Sequence, residues 1–206
     1  MAKFKSTTFG SISGKHGTAV AVVTKDGKNY MRLHRDPSNP RTEKQVRQRT
    51  KFAFTVQALR PFNRLFKEVA RGTSGMQQLR SGAFRHAIVG THPDYELDYQ
   101  KLMFSYGTVE GLYNLSATID GNTVNFAWEN IKTVGSRNDD EVCVIFYNEI
   151  TTQTIHETDW TTRQTETAQY ELPEAWSDAS VCCWVYLKQG NARSNSQFVG
   201  GSEFGG

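Results

Sequence analysis

Thr123-Val124-Asn125-Phe126-Ala127-Trp128 alternates polar and apolar side chains with a period of two. Residues two apart on a strand share a face. Val124, Phe126 and Trp128 are therefore expected to line one side of a strand, with Trp128 in a core between two sheets. Asp120-Gly121-Asn122 just before it is a hairpin turn and pairs this run with a strand-like run at 114–119. Further such runs follow at 141–147, 154–158, 165–172, 180–187 and 194–199, with Gly190-Asn191 between the last two. Seven short strands separated by turn residues predict an antiparallel β-sandwich.

Upstream the texture differs. Gly10, Gly14 and Gly17 punctuate the start of a segment that then reads as a strand over 18–24, a turn at Lys25-Asp26-Gly27-Lys28 and a return strand over 29–34. A lone hairpin is marginal in water, so this one must pack on something. Beyond Pro37 and Pro40, Thr42-Glu43-Lys44-Gln45 matches a capping box and opens a long helical pattern. Val46, Phe52, Ala53, Val56 and Leu59 form its predicted apolar face, with Lys44, Arg47, Gln48 and Lys51 mostly on the other. Pro61 is expected to kink the helix or start a second one. Phe62, Leu65, Phe66 and Val69 continue the stripe, and Gly72 is a C-cap candidate. Another helix is read over 75–89 despite Gly82. Thr91-His92-Pro93-Asp94 is a loop, and 99–106 fits either strand or helix. The predicted fold is α+β, with an N-terminal β-hairpin plus helices over 1–107, a β-sandwich over 108–200 and a Gly-rich tail at 201–206.

Hydrophobic residues make up 37% of the chain and aromatics 12%, which excludes wholesale disorder. The net charge of +3 hides an uneven distribution. Residues 1–105 carry nineteen Lys and Arg against seven acids; residues 106–206 carry five against fourteen. Such asymmetry implies separate partners for the two halves, or halves that meet each other; the plain alternative is two solvated surfaces. The basic candidates are Arg32, Arg35, Arg41, Lys44, Arg47, Arg49, Lys51, Arg60 and Arg64. Cations along one helical face suit an acidic protein surface, or phosphates through counterion release. Nothing resembles a recognition helix or an aromatic stacking platform. Asp139, Asp140 and Glu141 are the densest acidic cluster and read as a solvated loop before a strand. They lack the spacing and glycine of a calcium loop.

Catalytic chemistry finds little support. His16, His34, His86, His92 and His156 fall in no metal-ligand spacing and beside no nucleophile motif. Cys143, Cys182 and Cys183 lie in predicted strands and read as buried free thiols. Gly10 to Gly17 superficially resembles a phosphate loop. Only three residues separate Gly10 from Gly14-Lys15, however, and His16 follows the lysine, so the glycines read as allowing tight turns or close backbone packing. The expectation is a non-enzyme with no cofactor, metal or small-molecule substrate. No run approaches membrane-helix length and no signal-like apolar core follows Met1, which points to the cytoplasm.

Val124-Asn125-Phe126-Ala127-Trp128, with 180–186 followed by 190–196, resembles a fibronectin type III or related immunoglobulin-like module over about 90 residues. This implies an immunoglobulin-like β-sandwich without the inter-sheet cysteine pair of antibody domains. The whole chain also resembles a family of uncharacterised proteins common in Bacteroidota. That likeness rests on Gly10-Ser11-Ile12-Ser13-Gly14-Lys15 with Gly17, on Asn39-Pro40-Arg41-Thr42 with Gln45, Arg49, Phe52 and Ala53, and on Phe104-Ser105-Tyr106-Gly107. The Asn39–Thr42 segment is also similar to small proteins of phage and prophage regions. These likenesses imply fold and lineage, not an activity. The expected function is that of a structural or interaction protein whose basic and acidic ends let copies associate head to tail. Nucleic-acid binding by the basic helix over 42–71 is the alternative; a membrane partner is not expected.

Overall fold

A computed structural model of the chain describes residues 2–3, 12–36, 38–39, 41–70, 72–176 and 180–200. Gly10, Ser11, Pro37, Pro40 and the 201–206 tail lie outside these. The chain divides into two compact units, 1–42 and 43–206, and mixes helices with several antiparallel sheets.

In the first unit, β1 (Ala2–Lys3), β2 (Gly14–His16), β3 (Ala19–Val23) and β4 (Asn29–Leu33) form one antiparallel sheet in the order β1-β4-β3-β2. β3 and β4 are the predicted hairpin, with Val23 opposite Asn29 and Ala19 opposite Leu33. Gly27, at φ +71°, makes the turn, and its N–H donates to the Thr24 carbonyl at 2.9 Å. Gly17, at φ +58°, turns β2 into β3, while Gly14, at φ +106°, lies within β2.

The second unit opens with α1 (Glu43–Ala58), α2 (Asn63–Val69) and α3 (Gly72–Gly82), the last running into a π-helical turn at Ala83–Ala87. Pro61 sits in the break between α1 and α2, where its missing N–H and ring forbid an uninterrupted helix. Gly72 does not cap α2: extended Ala70 ends that helix, and Gly72 at φ +63° opens α3. The helix read over 75–89 stops at Ala87, and β5 (Ile88–Thr91) and β6 (Asp94–Leu97) pair as a hairpin. Within 99–106 only a 3-10 turn, Tyr99–Lys101, is regular.

The predicted C-terminal strands are β7 (Tyr113–Asp120), β8 (Thr123–Glu129), β9 (Glu141–Asn148), β10 (Gln153–Thr162), β11 (Thr167–Glu171), β12 (Val181–Gln189) and β14 (Gln197–Gly200), with a short β13 (Ala192–Arg193) added. They form two antiparallel sheets, β11-β8-β7 and β10-β9-β12, with β13 and β14 both pairing with β12.

β9 and β12 are buried on both faces. Val142, Val144 and Phe146 join Val181, Cys183, Val185 and Leu187 in a core shared with Val124, Phe126 and Trp128 of the other sheet. Cys143, Ile145 and Tyr147 join Cys182, Trp184 and Tyr186 in a second core, shared with Leu59, Phe62, Leu65, Phe66, Val69 and Leu79 of the helices. The described residues of 43–200 thus stack in three layers: helices, the β9–β12 sheet and the β7–β8 sheet. The boundary expected at 107/108 runs through this unit, because the helices cover the outer face of the very sheet that the sequence placed in a separate domain. All three cysteines are buried free thiols, as expected.

Trp184 is the hub of the helix-facing core. Its ring lies 4.8 Å from Phe104, 5.5 Å from Phe198 and 6.5 Å from Phe62, and its Nε1 donates to the Tyr99 carbonyl at 3.2 Å. We expect Trp184→Ala to cost about 3–5 kcal/mol. In urea unfolding, the midpoint by helical circular dichroism and that by tryptophan fluorescence should fall together.

Candidate interaction surface

α1 begins at Glu43, directly after Thr42, where the capping-box pattern places it. Its packed side is not the predicted one. Thr55 is buried and its hydroxyl bonds back to the Lys51 carbonyl at 2.7 Å. Phe54 lies 6.2 Å from the Tyr95 ring, and Leu59, just past the helix end, is buried. By contrast Val46 is 39%, Phe52 62% and Val56 57% exposed. The stripe read as a core face is, Leu59 apart, a solvent-facing apolar surface. α1 packs on β6 and the π-helical turn through the side that carries Lys51, Phe54, Thr55 and Ala58.

Between α1 and α3 runs a groove of about 480 Å³, walled by Phe52, Val56 and Phe84 and floored by Thr55 and Leu59. Phe52 meets Phe84 edge-on at 6.4 Å. The groove's remaining polar lining is Gln48, Asn63, Gln77 and Ser81 with one cation, Arg80. Lys51 Nζ sits 5.0 Å above the Phe84 ring, a cation–π contact. Arg80 donates to Asn63 Oδ1 at 2.8 Å.

The basic candidates separate into groups. Arg32, Arg35 and Arg41 belong to the first unit and are exposed. Lys44 and Arg47 are exposed on α1, where Arg47 lies 3.8 Å from Glu43; Lys51 is half-buried. Arg60 falls in the break between α1 and α2, and Arg64 on α2 pairs with Glu68 at 2.8 Å. Exposed pairs of this kind contribute little stability, so these cations are held only weakly by their own helix.

The acidic candidates do not form a surface cluster. Asp140 is 1% exposed, and its Oδ2 lies 3.1 Å from Nε of the fully buried Arg163. That carboxylate also accepts from the Arg137 N–H at 3.0 Å and from Gln189 Nε2 at 2.8 Å. Arg163 donates on to the carbonyls of Gly111 at 3.1 Å and Glu110 at 2.6 Å. The pair is an internal strut that ties three loops together, with its polar atoms satisfied. A loop acid whose cation lies 23 residues away gives no local signal. Glu141 is bound to Lys188 Nζ at 2.6 Å, and Lys188 reaches Asp159 at 3.2 Å. Only Asp139 is an exposed acid in the expected sense.

Acids that the sequence reading did not group converge elsewhere. The Leu172 N–H bonds to the Asn122 carbonyl at 2.8 Å, and the Glu149 N–H to the Ser180 carbonyl at 3.0 Å. The β7–β8 turn, the β9–β10 turn and the connection from β11 to β12 therefore close the same end of the paired sheets. That end carries Asp120, Glu171 and Glu174, all exposed, and Ile150 at 71% exposure; no Lys or Arg stands in these turns among the described residues.

The remaining titratable groups are built into the cores. Burial pushes the Cys143, Cys182 and Cys183 thiols above their ordinary value, which suppresses the thiolate. His156 on β10 lies 2.9 Å from the Tyr186 hydroxyl and 3.6 Å from Glu68 of α2. Burial lowers its pKa, and the Glu68 carboxylate opposes that only in part.

A model of a family of unknown function, DUF6266, matches residues 11–200, and the chain belongs to that family. No match is found among curated proteins.

Two outcomes are expected. Asp140→Asn or Arg163→Met strands a buried partner, and should lower chemical-denaturation stability by about 3–5 kcal/mol. Protonation of His156 favours the unfolded chain, whose imidazole titrates near the ordinary value of 6.5. Its contribution is thus complete above that pH and is lost as pH falls through it towards the lower folded value. Tm should drop between pH 7.5 and 5.5, and His156→Gln should flatten that slope while lowering Tm at pH 7.5.

Proposed function

We propose that this member of the DUF6266 family is a non-enzymatic interaction or assembly protein, which uses its basic helical surface to engage an acidic protein surface, first of all that of another copy. One observation carries the reading: α1, sixteen residues long, buries only Thr55 and leaves Val46, Phe52 and Val56 in solvent among cations. A helix of this length is marginal in water by itself and normally owes its stability to a covered apolar face. Val46, Phe52 and Val56 offer nothing to a phosphate backbone, which favours protein over nucleic acid as the partner of α1.

The β-rich part supports an immunoglobulin-like reading of fibronectin type III kind. The first, second and fifth strands (β7, β8, β11) share one sheet, and the third, fourth, sixth and seventh (β9, β10, β12, β14) the other. The fourth strand has left the sheet it occupies in antibody constant domains. Modules of this class commonly serve as binding scaffolds, and a phage- or mobile-element-associated assembly role in the cytoplasm belongs to the same reading.

Static light scattering tests it. At high protein concentration the weight-average mass should exceed the monomer mass in low salt and fall towards it as salt screens the opposed charges. A strict monomer at every salt concentration overturns the proposal.

A further inference from the structure

The α1–α3 groove, beside the exposed cations of α1, and the acidic end of the sheets are opposite in charge. The groove offers an apolar trough between Phe52, Val56 and Phe84, with Arg80 in its lining and the exposed Lys44, Arg47 and Arg49 on the same helix α1. The acidic end offers an apolar knob, Ile150, on the same end of the paired sheets as the exposed Asp120, Glu171 and Glu174. The knob is rigid: Asn148 Oδ1 accepts from the N–H groups of both Ile150 and Thr151 at 2.9 Å, and Thr152 holds φ +56° to close the turn. None of these bonds uses the Ile150 side chain, which stays free to insert.

We infer that the β9–β10 turn of one copy docks in the α1–α3 groove of another, with Ile150 against Phe52, Val56 and Phe84 and the acids of that sheet end towards Arg80 and the exposed cations of α1. This rests on the self-association proposed above and names the two surfaces that make the contact. Pairing of the groove with its own equivalent is disfavoured, since it would set the exposed Lys44, Arg47, Arg49 and Arg60 of two copies against each other. The acidic end likewise repels itself. A preformed turn entering a preformed groove loses little conformational entropy, so a small interface suffices for a measurable contact.

Phe52 and Ile150 are exposed, so charged replacements leave the fold intact, which equal thermal midpoints would verify. Sedimentation velocity in low salt compares the wild type with Phe52→Glu, Ile150→Glu and an equimolar mixture of the two. Each variant alone should associate at least about tenfold more weakly than wild type, the effect of a disrupted central anchor. The mixture should regain a dimer, because one intact turn then meets one intact groove. If the wild type associates and neither variant weakens it, the assignment of surfaces is overturned while self-association stands. If Phe52→Glu dissociates but Ile150→Glu does not, the groove takes another occupant and the inference fails. A monomeric wild type removes both.

Discussion

The β9–β12 pair has no solvent face. Every side chain from Val142 to Asn148 and from Val181 to Leu187 is buried, those of one parity against β7 and β8, those of the other against α2, α3 and the segment through Phe104. A sheet with two apolar faces can be stable in water only when both are covered. The helices are therefore part of the structure that makes the sheet possible. The aromatic cluster joining Phe62, Phe66, Tyr99, Phe104, Tyr147 and Trp184 is where that cover is made.

The strands were legible because alternation is a strong signal, and Val124, Phe126 and Trp128 lie where their period puts them. The first hairpin was legible for a similar reason, through its Asp26-Gly27 turn. The third layer was less visible. Val142-Cys143-Val144-Ile145-Phe146-Tyr147 and Val181-Cys182-Cys183-Trp184-Val185-Tyr186 are almost unbroken apolar runs. Such runs signal burial on both faces, and with it a missing cover.

The candidate surface was half legible for physical reasons. Apolar residues at helical spacing mark a face that excludes water, yet they do not say whether the chain itself covers it; on α1 it does not. Asp140 looked like a solvated acid because its neutralising Arg163 comes from a distant loop. Asp120, Ile150, Glu171 and Glu174 are spread over more than fifty residues and come to one end of the sheets only through strand register. What remains of the charge asymmetry is more local than two opposed halves: exposed cations on α1 beside the groove and an acidic end on the paired sheets. Both are presented by one compact unit, whose titratable interior groups serve packing.

Native-state hydrogen exchange on the full chain tests the shared core most directly. If the helices and the β9–β12 sheet are one cooperative structure, the slowest amides of α2, at Phe66 and Val69, should open with the same free energy as those of Ile145 and Trp184, and all should shift together when denaturant is added. Exchange of the α2 amides at a markedly lower free energy, with β9 and β12 still protected, would contradict it, for the sheet would then stand without its helical cover.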